Sequence, residues 1–422
     1  MMSQRAPRVA TRNMDLVVPL LVAMLLGVPL LLLASATLPP PQRRAIVPVL
    51  LYALGLRVAL AVIFETVPET RVFHADSYGS EYFAQYIASY WKGQVPPPLT
   101  PARNYGYYYV LGAFDFAFGR YRLNSTIFNA IVGSLSVAVL YRIGLSMFHE
   151  KVARRAATFS AFFPSMVIWS SIAIKDCLVT FLILLSLLSC IRLRERFSLV
   201  SLFGVLLPIF AIYPIRFYLI YFLLAAFAGT MALNRPGKIF AGISKQLLLV
   251  GGLAGVILLF GLSSTTTDDL SMFNLNRVSD YRHGMAATAG SGFAQDVDIS
   301  TTGGALAFLP IGVATMIWAP FPWQMLSLRP LLTLPEMLLW WTLAPALFRG
   351  VLFAARKRFA ETLPIIVFSS TLLLGYALTM GNVGAAFRMR AQILNLLFLF
   401  VAFGHYLRRA DRAGIDPELL VR

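Results

Sequence analysis

Charge is scarce in this chain. Asp, Glu, Lys and Arg make up only 13% of its 422 residues, and acids are the rarer sign, 19 against 36 Lys and Arg. A surface so poor in ionic groups does not suit a soluble globular domain. Cysteine is limited to Cys177 and Cys190, thirteen positions apart in one apolar stretch. On a helix that spacing separates them by about 20 Å, which excludes a mutual disulfide and a cysteine-based metal cluster. No P-loop, GxSxG elbow, zinc motif or Rossmann fingerprint stands in a supporting context, which argues against an ATP-driven pump. Internal repeats and low-complexity tracts are also missing.

What the chain has in abundance is apolar length, with 58% hydrophobic residues. Runs of about 18 or more apolar residues recur, the length a helix needs to cross roughly 30 Å of hydrocarbon. A spanning backbone must satisfy its own hydrogen bonds, so the expected fold is all-α: one polytopic helical membrane domain over 1–422. The expected spans are 14–36, 45–65, 124–148, 153–171, 176–193, 197–213, 215–233, 239–262, 331–352, 361–380 and 390–408. The 304–321 piece carries Pro310 and Pro320, with Pro322 just beyond. It reads as a re-entrant segment or a broken further span. The run from Met14 to Leu38 is longer than a usual signal-peptide core and reads as a retained helix, with cleavage near the small residues of LLASATL as the alternative.

The net charge of +17 admits nucleic acid or anionic lipid as partner. The basic residues fall in short interhelical loops: Arg43 with Arg44, Lys151 with Arg154 and Arg155, Arg192 to Arg196, Arg235 with Lys238, Arg356 to Arg358, and Arg408 to Arg412. That is the positive-inside pattern of a membrane protein, not a nucleic-acid-binding face. With 304–321 not crossing, all six groups share one side, assigned to the cytoplasm. The outer side then holds loop 66–123, loop 263–302 and the turn from Gly381 to Arg390, together with the N-terminal Arg5, Arg8 and Arg12.

Loop 66–123 contains RVFHADSYGSEYFAQYIASYWKG, which sets Asp76, Glu81 and His74 beside a run of aromatics. Ser80 to Trp91 is expected as an interfacial helix, with Tyr82, Tyr86, Tyr90 and Trp91 at headgroup level. PPPLTP is a stiff connector. NYGYYYVLGAFDFAFG is read as a second surface helix. A carboxylate near low-dielectric surroundings can have its pKa raised toward working pH and take a proton from an acceptor hydroxyl. Asp76 is the first candidate for that work, against the alternatives of a helix cap or a solvated loop acid. Glu81 and His74 are weaker candidates, since Glu81 also suits a first-turn position favoured by the helix dipole.

Arg388, Arg390, Arg216 and Lys175 lie at span ends on the assigned outer face and break the positive-inside pattern. Each can bind a phosphate or snorkel to headgroups. Arg57 lies inside a span, where a charge costs about 2.5–3.5 kcal/mol, so it should face a cavity or a partner. Tyr78 and Tyr105 are expected to line that cavity with it. Asp115 and Glu336 are nearer span boundaries and read as interfacial. Lys175 and Asp176 are sequence neighbours and point apart on a helix. Asp268, Asp269, Asp280, Asp296 and Asp298 can supply oxygen ligands to Mg²⁺ or Mn²⁺, but their spacing matches no binding loop, and no metal residue is assigned.

The layout of FHADSYGSEYFAQYIASYWKG, NYGYYYVLGAFDFAFGR, RLNSTIFNAIVGSLSVAVLYRIG and WSSIAIKDCLVTFLILLSLL resembles the GT-C superfamily of multi-spanning glycosyltransferases, over about residues 70–195. This group includes the protein O-mannosyltransferases and the aminoarabinose transferases. The FRMRAQ helix fits more loosely, and FLPIGVATMIWAPFPWQ looks like membrane proteins of bacterial exopolysaccharide clusters. The resemblance implies a polyprenyl-phosphate-type sugar donor and a glycan, lipid or protein acceptor. It also implies Asp76 as base, donor phosphate against Arg216, Arg388, Arg390 or Lys175, and a site on the outer face of a bacterial inner membrane. An extra helix precedes the acidic loop, where the family has one. A transporter or flippase of a lipid-linked glycan is the alternative, with Asp76 as a coupling acid.

Overall fold

The computed structural model describes residues 8–67, 75–98, 105–232, 274–325 and 331–414, with side chains from residue 15 onward and, in the acidic loop, from Ser77. Helix is the only regular structure among them, apart from an isolated bridge between Gly292 and Asn382. Among the described residues eight helices are long and apolar enough to cross a membrane, and the chain is an integral membrane protein with an all-α polytopic fold. The expected span 239–262 lies outside the described residues.

The helices in chain order are α1 (Arg8–Val22), α2 (Val28–Ala36), α3 (Pro40–Thr66), α4 (Ala75–Trp91), α5 (Gly106–Phe118), α6 (Asn124–Met147), α7 (Glu150–Phe162), α8 (Pro164–Ser170), α9 (Lys175–Glu195), α10 (Leu199–Arg216) and α11 (Leu219–Ala232). They continue with α12 (Leu275–Thr288), α13 (Thr302–Trp318), α14 (Leu334–Lys357), α15 (Phe359–Thr379), α16 (Val383–Met389) and α17 (Ala391–Arg412). A π turn at Ala23–Gly27 joins α1 to α2 into one crossing.

The expected span 153–171 is two pieces, because Phe163 before Pro164 takes an extended backbone and α7 stops there. The same rule ends α13 at Trp318, where Ala319 before Pro320 is extended. The chain after α10 forms the 14-residue α11, shorter than the expected 215–233 span. In the acidic loop the helix begins at Ala75, earlier than the expected Ser80, so Asp76 stands in its first turn, where the positive helix end favours an acid.

The chain divides into two compact units. The first comprises Met1–Gly144, Ala153–Leu184 and Ala211–Phe217. Its central span is α6, with 78% of its apolar window buried, whereas the window of α3 is only 33% buried and leaves most of its surface for lipid. Helices α4 and α5 pack against each other, with Phe83 stacked on Tyr108 at 5.2 Å and Gly112 against Ile87 and the carbonyl of Ala84. A Cβ at Gly112 would lie 2.8 Å from Ile87, so the pair is as close as it is because that position is glycine. Gly119 ends α5 at φ 93°, a conformation that favours glycine, and turns the chain toward α6.

The second unit comprises Leu145–Val152, Leu185–Phe210 and Tyr218–Arg422. Its main contact joins α14 to α17, where Gly350 sits on the carbonyl of Phe400 and Gly404 on that of Ala346. Small residues let the two backbones touch, the usual solution where lipid offers no hydrophobic driving force. Helix α15 packs against α11 and α13 in the same unit.

Candidate functional site

The first unit encloses a polar centre made by five helices. From α4 come Ser77 and Glu81, and from α5 come Tyr107 and Asp115. Asn124 and Asn129 belong to α6, Asp176 to the first turn of α9, and Arg216 to the last turn of α10. All eight are buried. Of the expected catalytic residues, Glu81 is here. Asp76 has its backbone in the first turn of α4 and its side chain outside the described residues, and His74 lies outside them altogether.

Burial pushes the Glu81 carboxyl up to about 8. The Glu65 carboxylate is the next contributor, Asp115 adds to it, and Arg122 and a hydrogen bond with Ser77 pull the other way. Asp115 is pushed up to about 7, again by burial, against a hydrogen bond from Asn124 and the charges of Arg120 and Lys92. Asn124 Nδ2 reaches Asp115 Oδ1 at 3.1 Å, and Arg122 pairs with Glu65 at 2.8 Å. Expected at a membrane boundary, Asp115 is instead 1% exposed, because it faces α6 from a helix packed on α4. Two acids that hold protons near neutrality therefore share one low-dielectric region.

The 171–174 turn before α9 is fixed from two sides. Ser77 Oγ accepts from the Ala173 amide at 3.2 Å, and Asn129 Nδ2 donates to the carbonyls of Ile172 at 2.6 Å and Ile174 at 2.8 Å. These bonds set where α9 begins, and with it Asp176. Asp176 pairs with Arg216 at 2.6 Å, with both side chains buried. Arg216, an expected phosphate ligand, is thus neutralised by a carboxylate forty positions earlier, a pairing that sequence adjacency to Lys175 concealed. Lys175 is half-buried, its Nζ 3.4 Å from the carbonyl of Ile215.

Arg57 does meet the partner a buried cation requires, but the partners are neutral. Its guanidinium donates to Ser170 Oγ at 2.7 Å and to the carbonyls of Ala53, Ala161 and Ser160. Two of those carbonyls, of Ser160 and Ala161, lie in the last turn of α7, just before Pro164. Tyr78 is exposed on α4, while Tyr105 caps the start of α5 and meets the rings of Phe83 and Tyr108 at 5.8 and 5.3 Å.

The second unit holds the remaining expected cations. Arg390 is 2% exposed, and it donates to the carbonyls of Ile317 at 2.9 Å and Ala319 at 3.0 Å, at the end of α13. Glu336, expected at an interface, is buried opposite it at 3.6 Å. Trp340 and Trp341 donate to the carbonyls of Ile317 and Trp318 in the same place. Arg390 therefore caps a helix end with the work divided among three side chains. Arg388 is half-buried on α16. Beside them, Asn382 Oδ1 accepts from the amides of Gly384 and Ala385 and from Ser291 Oγ.

Among the described residues no three His, Cys, Asp or Glu side chains are placed to share a metal ion. Asp280, Asp296 and Asp298 are exposed, and Asp268 and Asp269 lie outside the described residues. Asp298 is held below the usual carboxylate range by hydrogen bonds from the Ser300 amide and hydroxyl.

Tyr107, Asp115, Asn124, Asn129 and Asp176 were not singled out as site residues from the sequence. The signal for the two asparagines was present, since polar side chains in a span must find partners. No family model matches the chain, and no curated protein sequence matches it.

Proposed function

We propose that this integral membrane protein is a glycosyltransferase of GT-C type. It takes a sugar from a polyprenyl-phosphate-type lipid to a glycan, lipid or protein acceptor, at the outer face of a bacterial inner membrane. The observation that carries the reading is the pair of buried, proton-holding acids Glu81 and Asp115, on two packed helices that connect membrane-spanning α3 and α6. A transfer to a hydroxyl uses a carboxyl group within reach of the acceptor proton.

In the proposed step the acceptor oxygen attacks the anomeric carbon from the face opposite the lipid. The bond to the phosphate oxygen breaks and its electron pair leaves with the phosphate. The acceptor proton passes to the carboxylate of Asp76, in the first turn of α4, while Glu81, about one turn further on, already holds a proton and can only donate a hydrogen bond. The configuration inverts. Charge growing on the phosphate needs a cation. Lys175, half-buried in the same unit as these acids, is the candidate for that work, whereas Arg216 is paired with Asp176.

The test is purified full-length protein in liposomes with a polyprenyl-phosphate sugar and a set of acceptors, the anomeric configuration of the product being read by NMR. Product of inverted configuration supports the reading; retained configuration contradicts the single displacement. A second reading, translocation of a lipid-linked glycan, is favoured by the two proline-interrupted apolar segments, α7 to α8 and the end of α13. It predicts that the lipid crosses sealed vesicles chemically unchanged.

A further inference from the structure

The two buried asparagines of α6 share a pattern the proposed chemistry does not use. Asn129 directs its Nδ2 at the carbonyls of Ile172 and Ile174, and Asn124 directs its own at Asp115 and the carbonyl of Gly119. An amide oxygen turned toward those carbonyls would be repelled, so the orientation of both groups is set. Each then presents its Oδ1 to the interior, fully buried and without a well-formed hydrogen bond from the described protein groups.

The Tyr107 hydroxyl is in the same position. It is fully buried and within reach of the Asn129 side chain, in a geometry short of a well-formed bond. Glu81 and Asp176 both act electrostatically on this phenol, so both carboxyls are near it. Buried polar atoms rarely go unpaired, because leaving one so is costly.

We propose that Tyr107 and Asn129, with Glu81 beside them, form a binding site for a neutral hydroxyl group. The complementarity is in the donor and acceptor count. Asn129 Oδ1 only accepts, while the phenol both donates and accepts, so a group that donates to the amide oxygen and accepts from the phenol completes both. A carboxylate has no proton to donate to Asn129, and Arg216 is already paired with Asp176 and so offers no free counter-charge to an anion. A metal ion would need more anionic ligands than the site has. A hydroxyl meets the requirement, and it has two sources, an ordered water and a hydroxyl of a sugar. That the sugar is the occupant rests on the transferase reading; the site itself does not.

The test is a cryo-electron map of the full chain in lipid nanodiscs, at a resolution that shows ordered waters, with and without methyl α-D-mannopyranoside or methyl β-D-glucopyranoside. A single peak within hydrogen-bond distance of Tyr107 Oη and Asn129 Oδ1 in every map assigns water. A ring seen only with glycoside assigns the sugar, and Tyr107→Phe then weakens glycoside binding about five- to tenfold, the effect of one hydrogen bond. Tyr107→Phe keeps the ring that fills the space, and its melting temperature reports whether it has folded. No density in any map, with the phenol bonded directly to Asn129, overturns the proposal and leaves the transfer assay untouched.

Discussion

Glu81→Gln isolates the clearest electrostatic consequence of the fold. Burial, with Glu65 as the next contributor, holds the Glu81 carboxyl protonated up to about 8, against 4.5 when free. Between those two values the folded chain binds a proton that the unfolded chain has released, so stability falls as pH rises and levels off above about 8. The slope this group imposes is about 1 kcal/mol per pH unit, which amounts to a few kcal/mol across the window. Glutamine has the same shape, keeps a partner for Ser77 and cannot ionise. The variant should therefore match the wild type near pH 5 and exceed it by a few kcal/mol near pH 8. The assay is denaturant unfolding of full-length protein in detergent micelles at a series of pH values, with tryptophan fluorescence as the signal. Taking the difference between the two proteins cancels the groups they share. A difference that stays constant from pH 5 to pH 8 would refute the burial of an ionisable carboxyl at this position.

Asp115→Asn should show the same sign over a lower window, from about 4 to about 7, since Asp115 moves from 3.8 to about 7, and the same titration checks it. Arg390→Met should destabilise the protein by about 3–5 kcal/mol, because it strands the buried Glu336 and uncaps α13. Adding Glu336→Gln should recover part of the loss in a thermal-unfolding double-mutant cycle. Asp176→Asn should cost a comparable amount by leaving Arg216 buried without its counter-charge, and Asp176→Leu with Arg216→Met should cost less than the sum of the single changes. Gly404→Leu should prevent α17 from lying on α14, read as loss of a cooperative melting transition.

Apolar length was enough to find the spanning helices, since the bilayer enforces about 18 or more residues whatever the neighbours are. It overstated 153–171, where hydropathy runs on through Pro164 but the backbone does not. The acidic loop was legible as a helix-forming stretch, though its first helix starts at Ala75 and not at Ser80. What could not be read was pairing. Asp176 with Arg216, Glu336 with Arg390, and Arg57 with the end of α7 join residues 40 to more than 100 positions apart, and periodicity carries no information at that range. The cations that broke the expected positive-inside pattern suggested phosphate ligands. Two of the four are instead held by buried acids, a use of arginine that leaves the same trace in a sequence.

The central claim is that sugar leaves its lipid phosphate at the acids of α4. It is tested most directly by counting molecules of free polyprenyl phosphate released per molecule of purified protein, for the wild type, Asp76→Asn and Glu81→Gln in one preparation. Repeated release by the wild type, abolished in Asp76→Asn while the lipid still binds, is the predicted result. Equal release by all three proteins, or none by the wild type while lipid-linked sugar crosses the bilayer intact, would contradict it.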